Sequence, residues 1–461
     1  MSQPAASRSF LLQSAAATFE QSFGRRGRAA AMTALGNGGA KIVQFAVNLI
    51  LIRITFRYLG AEEFGIWATL TAFSLLAAFA DFGVGNGVLQ GIARAWAMGD
   101  EKRLSQVMTN GVVMLSGVAG VLVAATFSVG PFVDWNALFH AGSPDAQRNL
   151  WPSFAAVLVC LALSLPLGLA QKYNLGVQRG AANGLWLMVG SVLSLAGVWL
   201  GMEWKWRMPA LLLTYGAGQV AALALTWVDM LLHRGGAKLH RAAVSVAEGK
   251  RLASAGSQYF ALQLLTAGMM QLPALFIAWR FGVAAVAPYA VANRIAAMVP
   301  MALSLAMQPL WPAYAEAHVR GDYAWMKRTF RFSITAAGIA GMLLVSVFPL
   351  AMPVLAHWWV GAEAVAGGWL LLSVAIFAAG LGLHSATSTC LNGCGRLRAQ
   401  FVCQLPALAI GLAGAWTLAP RYGITGIAAV FGVCELALGL LQMVQVRQLF
   451  QTEAESAAVR T

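Results

Sequence analysis

The chain has 461 residues, 59% of them hydrophobic and only 10% charged, with a mean hydropathy of +0.68 and a formal net charge of +14. A soluble domain carries about 25% charged residues, so this composition excludes a water-facing globule. The basic excess borders apolar segments, which excludes reading it as a nucleic-acid footprint and makes the bilayer the expected surroundings.

Residues 1–24 are polar and Ala/Ser-rich and read as a flexible or interfacial tail with no cleavable signal. Beyond them, apolar stretches of the roughly 20 residues needed to cross the hydrocarbon core place helices near 29–55, 63–92, 106–127, 151–171, 182–201 and 208–231. A basic linker over 233–252 is followed by helices near 253–280, 283–314, 329–353, 365–390, 398–419 and 424–447, then a short tail over 449–461. The fold class expected is an all-α polytopic membrane protein of about twelve spans. Arg25, Arg26 and Arg28 precede the first helix, Arg94, Lys102 and Arg103 follow the second, and Lys172 and Arg179 follow the fourth. Arg234, Lys238, Arg241, Lys250 and Arg251 fill the linker, and Arg320, Lys327, Arg328 and Arg331 follow the eighth helix. Arg396 and Arg398 follow the tenth. These alternate loops share one side, and the opposite loops are poor in Lys and Arg, so both termini are expected in the cytoplasm. The five cysteines, Cys160, Cys390, Cys394, Cys403 and Cys434, fall in or beside helices and read as small buried residues.

The sequence also repeats. With a shift of 222 residues, Gly60 falls on Gly282, Ala93 on Ala315, Gly99-Asp100 on Gly321-Asp322 and Leu104 on Met326. Two six-helix lobes follow, 29–232 and 253–448, preceded by a tail over 1–28. Repeated halves with a site between them are a common transporter architecture.

Ionisable groups at membrane depth are costly and point to function. They are Lys41, Asp81, Arg294 and Glu435, with Arg53 and Asp229 nearer helix ends. Asn37, Lys41, Gln44 and Asn48 recur every three or four residues and share one helix face. The 222 shift carries Lys41 onto Gln263 in the seventh helix. Arg294 shares a face with Gln308 in the eighth, where Pro300, Pro309 and Pro312 imply a bend. These groups are expected to line a central cavity. Arg294 stands either as a phosphate contact, which its planar fork suits, or as a structural partner of Glu435. Asp81 and Lys41 lie 21 and 19 residues either side of the Gly60 turn, at similar depth, so the two can pair. Gly83, Gly85 and Gly87 would then permit bending and close helix approach.

Several stretches resemble the polysaccharide-transporter branch of the multidrug/oligosaccharidyl-lipid/polysaccharide (MOP) exporter superfamily. They are YLGAEEFGIWATLTAF (58–73), the Asp81-Phe82-Gly83 stretch, IARAWAMGD (92–100), QPLWPAYAEAHVRGD (308–322), LNGCGRLR (391–398) and RYGITGIAAVFG (421–432). The resemblance implies two pseudo-symmetric lobes in a V shape, like multidrug exporters of that superfamily, in a bacterial inner membrane. It implies flipping of an undecaprenyl-diphosphate-linked glycan for lipopolysaccharide, O-antigen or exopolysaccharide synthesis. Its partners would be that lipid-linked glycan, the bilayer and a polysaccharide polymerase, with no nucleic acid and no cofactor. Lys41 and Arg294 would meet the diphosphate, and Asn37, Gln44, Asn48, Gln263 and Gln308 the hydroxyls.

Two rivals stand beside this. A multidrug exporter of the same superfamily would use Asp81 or Glu435 for a coupling proton or sodium ion. A membrane enzyme would need catalytic groups on sizeable outer loops, and the loop near 128–150 offers only Asp134, His140, Asp145 and Arg148. His384 is lone in its helix and reads as a packed or hydrogen-bonded histidine.

Overall fold

The computed structural model describes residues 5–73, 77–136, 143–232, 239–282, 285–359 and 367–458. Of the residues singled out above, Arg234, Lys238, His140 and the side chains of Arg25, Arg26 and Arg28 lie outside the described set. In chain order the helices are α1 (Ala5–Phe73), α2 (Ala77–Ala80), α3 (Val84–Met98), α4 (Glu101–Val129), α5 (Pro144–Leu167), α6 (Leu169–Gly176), α7 (Ala181–Glu203) and α8 (Met208–Leu232). There follow α9 (Val246–Phe281), α10 (Val286–Ala296), α11 (Met298–Met307), α12 (Leu310–Val319), α13 (Tyr323–Trp359), α14 (Gly368–Cys394) and α15 (Leu397–Ala458). No strand occurs among the described residues.

Ten of these stretches are long and apolar enough to cross a membrane. The last, Leu397–Thr452, is two helices merged across Gly423, whose φ of 60° and ψ of −143° break the helical path. Gly60, at φ 76°, similarly interrupts α1, and the part of α1 after it, with α2 and α3, makes up the helix of one more crossing. Twelve crossings result among the described residues, as the hydropathy pattern predicts. The structure differs at the N-terminus. Helix α1 begins at Ala5 instead of leaving residues 5–28 as a tail, because that stretch is rich in alanine, the strongest helix former.

The sequence repeat has a backbone counterpart. At Gly99 and Gly321, both at φ 69°, the N–H donates to the carbonyl three residues back, Trp96 and His318. The following Asp100 and Asp322 N–H groups donate to Ala95 and Ala317. This double bond pattern is a Schellman motif, which needs a left-handed residue and so favours glycine. Each aspartate then caps the next helix, accepting from Arg103 N at 2.8 Å and Trp325 N at 3.2 Å. All three pairs of partners are related by the 222 shift.

The chain divides into two compact units, one of residues 31–260 and one of residues 261–461 together with 1–30. In the first unit two apolar clusters form. One gathers Leu51, Trp67, Leu70, Leu150 and Leu211 from α1, α5 and α8. The other gathers Val88, Ile92, Met108, Leu169 and Tyr173 from α3, α4 and α6. The second unit repeats this, with one cluster around Leu371, Val374 and Phe431 and another around Tyr314, Met326, Leu391 and Val446. Helix α14 runs through both clusters and is the most enclosed span, with 72% of its most apolar window buried against 11% for the span of α4. The prolines act as expected: α10 ends at Ala296, four residues before Pro300, and α11 ends just before Gln308-Pro309. Each proline lacks an N–H and crowds the carbonyl four residues earlier.

Candidate functional site

Between the two apolar clusters of the second unit, α14 and the final crossing approach unusually closely. A Cβ on Gly380 would lie 2.5 Å from the backbone nitrogen of Leu436, and one on Gly439 would lie 2.9 Å from Leu383 Cβ. Small residues let membrane helices approach to this extent. The approach brings His384 Nδ1 to 2.6 Å from Glu435 Oε1, both side chains almost fully buried. On its other edge, His384 Nε2 lies 2.7 Å from Gln404 Nε2, and Gln404 Nε2 also donates to Thr266 Oγ1 at 3.4 Å. One helical turn away Thr387 donates to Gln442 Oε1 at 2.9 Å.

As oriented, the Gln404 amide nitrogen donates to His384 Nε2, which leaves Nδ1 to face the Glu435 carboxyl group. Glu435 Oε2, Gln404 Oε1 and Gln442 Nε2 are buried with no hydrogen-bond partner in the protein. Each such group costs about 1–3 kcal/mol, more when charged, which apolar packing does not return. The arrangement can take up a proton: an imidazolium would donate from both nitrogens, and a flip of the Gln404 amide would present its unpaired Oε1 to receive the second bond.

In the first unit, the Asp81 stretch breaks the second crossing. Phe82 has φ 47° and Gly83 φ 74°, and α3 starts immediately after. Asp81 Oδ1 accepts from Gly83 N at 2.9 Å and Oδ2 from Gly85 N at 3.1 Å, satisfying two N–H groups at the start of α3. A Cβ at Gly83 would lie 2.2 Å from the Gly256 carbonyl oxygen, so the break sits directly on α9. The expected pairing of Asp81 with Lys41 is not formed. Asp81 is engaged by its own backbone, and Lys41 donates to Gln44 Oε1 at 3.0 Å. Lys172 of α6 also borders this break: its Cε lies 3.3 Å from a Cβ placed on Gly85, and its Nζ donates to Asn86 Oδ1 at 2.9 Å.

The polar stripe of the first span does share one face, as the Lys41–Gln44 bond requires. Its buried neighbours Thr33, Ala40, Val47 and Leu51 define the packed face; at 100° per residue the stripe lies roughly 70° around from it. Lys41 and Asn48 are exposed, Gln44 and Asn37 half-buried, and Asn37 Oδ1 has no partner. In the second unit Gln263 is half-buried with Oε1 unpartnered, Gln308 is exposed, and Arg294 is exposed with no ion pair or hydrogen bond to a described residue. Glu435 is held by His384, so the alternative of an Arg294–Glu435 pair is not realised.

Sequence reasoning treats His384 as a lone packed residue and passes over Gln404, Gln442 and Asn86. One signal was available: Gln400 and Gln404, four residues apart, mark a polar face inside an otherwise apolar helix.

A chain with twelve helical crossings in two repeated units, broken helices and polar groups at membrane depth has the architecture of a secondary transporter. The chain belongs to the polysaccharide biosynthesis protein family of the MOP superfamily, whose family model matches residues 27–318. No curated protein matches the sequence. Among solved structures, the chain resembles an outward-facing multidrug resistance MATE family transporter of the MOP superfamily, with TM-score 0.77, 14% identity and coverage of 95% of this chain and 98% of that one. It resembles the Vibrio cholerae MATE transporter VcmN in the bent form at TM-score 0.74 and 16% identity, covering 95% and 99%. A third likeness is to a MOP superfamily transporter from Pyrococcus furiosus described as having a binding pocket of reverse polarity, at TM-score 0.73 and 14% identity, covering 95% and 98%. At these identities the likeness establishes the fold.

Proposed function

We propose that the protein exports an undecaprenyl-diphosphate-linked glycan across the bacterial inner membrane by alternating access, with Lys41 and Arg294 meeting the diphosphate. Membership of the polysaccharide biosynthesis family supports the substrate class. The observation that carries the reading is Arg294: it is exposed on α10 without a counter-charge among the described residues, and Glu435 is held by His384. Asn37, Gln44, Asn48, Gln263 and Gln308 supply hydrogen bonds to sugar hydroxyls. Glu435 with His384 is the coupling site, and the ion it suits is the proton. Cytoplasmic termini and a lipopolysaccharide, O-antigen or exopolysaccharide pathway, with a polymerase downstream, belong to the same proposal.

The test is Arg294→Ala in cells lacking the native copy. A lost charge-assisted bond of about 1.5–3 kcal/mol predicts roughly ten- to hundred-fold slower movement of lipid-linked glycan. Surface glycan should fall accordingly at unchanged protein level; normal surface glycan would overturn the assignment. Drug export coupled to protons is the second reading, favoured by the buried His384–Glu435 pair alone. Reconstituted vesicles separate the two, since the proposal requires flux of lipid-linked oligosaccharide and none of cationic dyes.

A further inference from the structure

Within the second unit, α13 and the end of α15 line a half-open cavity of about 460 Å³. Lys327, Arg331 and Thr335 face it from α13, and Met443, Arg447 and Gln451 from α15, each set spaced by four residues and so stacked on one helix face. Phe330 and Phe450 meet edge to face at 5.9 Å and form an aromatic floor. Every titratable group lining the cavity is a cation, and none of the three forms an ion pair or hydrogen bond with a described residue. Lys327 lies five residues beyond the Asp322 cap and Thr335 thirteen. At 1.5 Å per residue the cavity therefore extends about 12 Å along the helix, from roughly 8 to roughly 20 Å past the cap, out of the polar end of a span into its apolar part.

We infer that this cavity binds the head of an anionic phospholipid of the bilayer, with its phosphates between Lys327, Arg331 and Arg447 and its glycerol and upper acyl carbons against Phe330, Phe450 and Met443. Both helices are membrane-spanning, so the natural occupant enters from the lipid phase. Basic pockets between spanning helices recognise phosphate-bearing lipid heads. Three cations without an acid exceed what one phosphate neutralises, which favours a head carrying two phosphates, such as diphosphatidylglycerol.

The experiment is native mass spectrometry on the purified full-length protein in non-ionic detergent. The probes are diphosphatidylglycerol, phosphatidylglycerol, phosphatidylcholine, polyprenyl diphosphate and inorganic phosphate. Diphosphatidylglycerol should bind tightest, phosphatidylglycerol less tightly, and phosphatidylcholine negligibly. At about five-fold per cation, the triple variant Lys327→Gln, Arg331→Gln, Arg447→Gln should bind diphosphatidylglycerol roughly 100-fold more weakly. A control triple variant at Arg241, Lys250 and Arg251 should stay within a few-fold of the parent. Arg447→Gln alone, at an exposed position, guards against misfolding and should show the five-fold loss by itself. Equal binding of phosphatidylcholine, retained affinity in the triple variant, or an equal loss in the control would overturn the proposal. So would preference for polyprenyl diphosphate, or competition by inorganic phosphate alone.

Discussion

Asp81 and Glu435 are both acids inside the hydrophobic part of the chain, yet their surroundings assign them different work. Asp81 is half-buried and gives both oxygens to backbone N–H groups of a new helix. Asp81→Asn keeps one amide oxygen for Gly83 N–H but gives up the charge and the acceptor for Gly85 N–H; with half of the cap retained, glycan export should stay near the parental level. Asp81→Ala removes the cap and should destabilise the protein by about 1 kcal/mol, read as a lower midpoint in thermal unfolding of the purified protein. Loss of export in Asp81→Asn with unchanged stability would instead place Asp81 in ion coupling. Glu435 has no backbone donor and one imidazole partner. Glu435→Gln retains the shape and an acceptor for His384 Nδ1–H but cannot carry charge. Proton uptake measured with a pH-sensitive dye in vesicles should be abolished, while the protein remains folded. Uptake at the parental rate would remove the His384–Glu435 pair from coupling.

At the scale of helices, glycines decide where elements break and how closely they pack. Gly83 combines a left-handed φ with a Cβ position 2.2 Å from the Gly256 carbonyl oxygen, whereas Gly99 and Gly321 have the same sign of φ but open space. Alanine at Gly99 or Gly321 should therefore cost about 1 kcal/mol each, from backbone strain alone. Gly83→Ala adds overpacking of about 1–3 kcal/mol to that strain, so its unfolding midpoint should fall well below both of the others. Equal shifts for all three would show that the contact with α9 relaxes freely. Much of this level was legible in the sequence. Apolar length gave the crossings, prolines gave the breaks after Ala296 and Met307, and the Gly-Asp pairs gave the repeat. Partners of buried polar groups were not legible, because they depend on which helices touch. Lys41 and Asp81 lie at matching distances from Gly60, but Asp81 was claimed by its own backbone. His384 and Glu435 are 51 residues apart, and only the close approach at Gly380 and Gly439 brings them together.

For the whole molecule, orientation is the property from which the proposed direction of transport follows. The linker and the turns after the second, fourth, eighth and tenth helices carry most of the loop cations, so the positive-inside tendency makes the cytoplasm their expected side. The opposite assignment would leave clusters such as Arg241, Lys250 and Arg251 to be moved across the membrane during insertion. Cysteine labelling can test this on the native background, because Cys160, Cys390, Cys394 and Cys434 are buried and Cys403 is half-buried. Asn136 and Ala242 are exposed at opposite ends of their unit's spans and outside every site described above. In intact spheroplasts a membrane-impermeant maleimide should modify Asn136→Cys. It should reach Ala242→Cys only after the membrane is permeabilised. The reverse pattern would place the basic loops outside, and the cation-rich ends of the helices would then face the leaflet from which a cytoplasmically assembled glycan cannot be loaded.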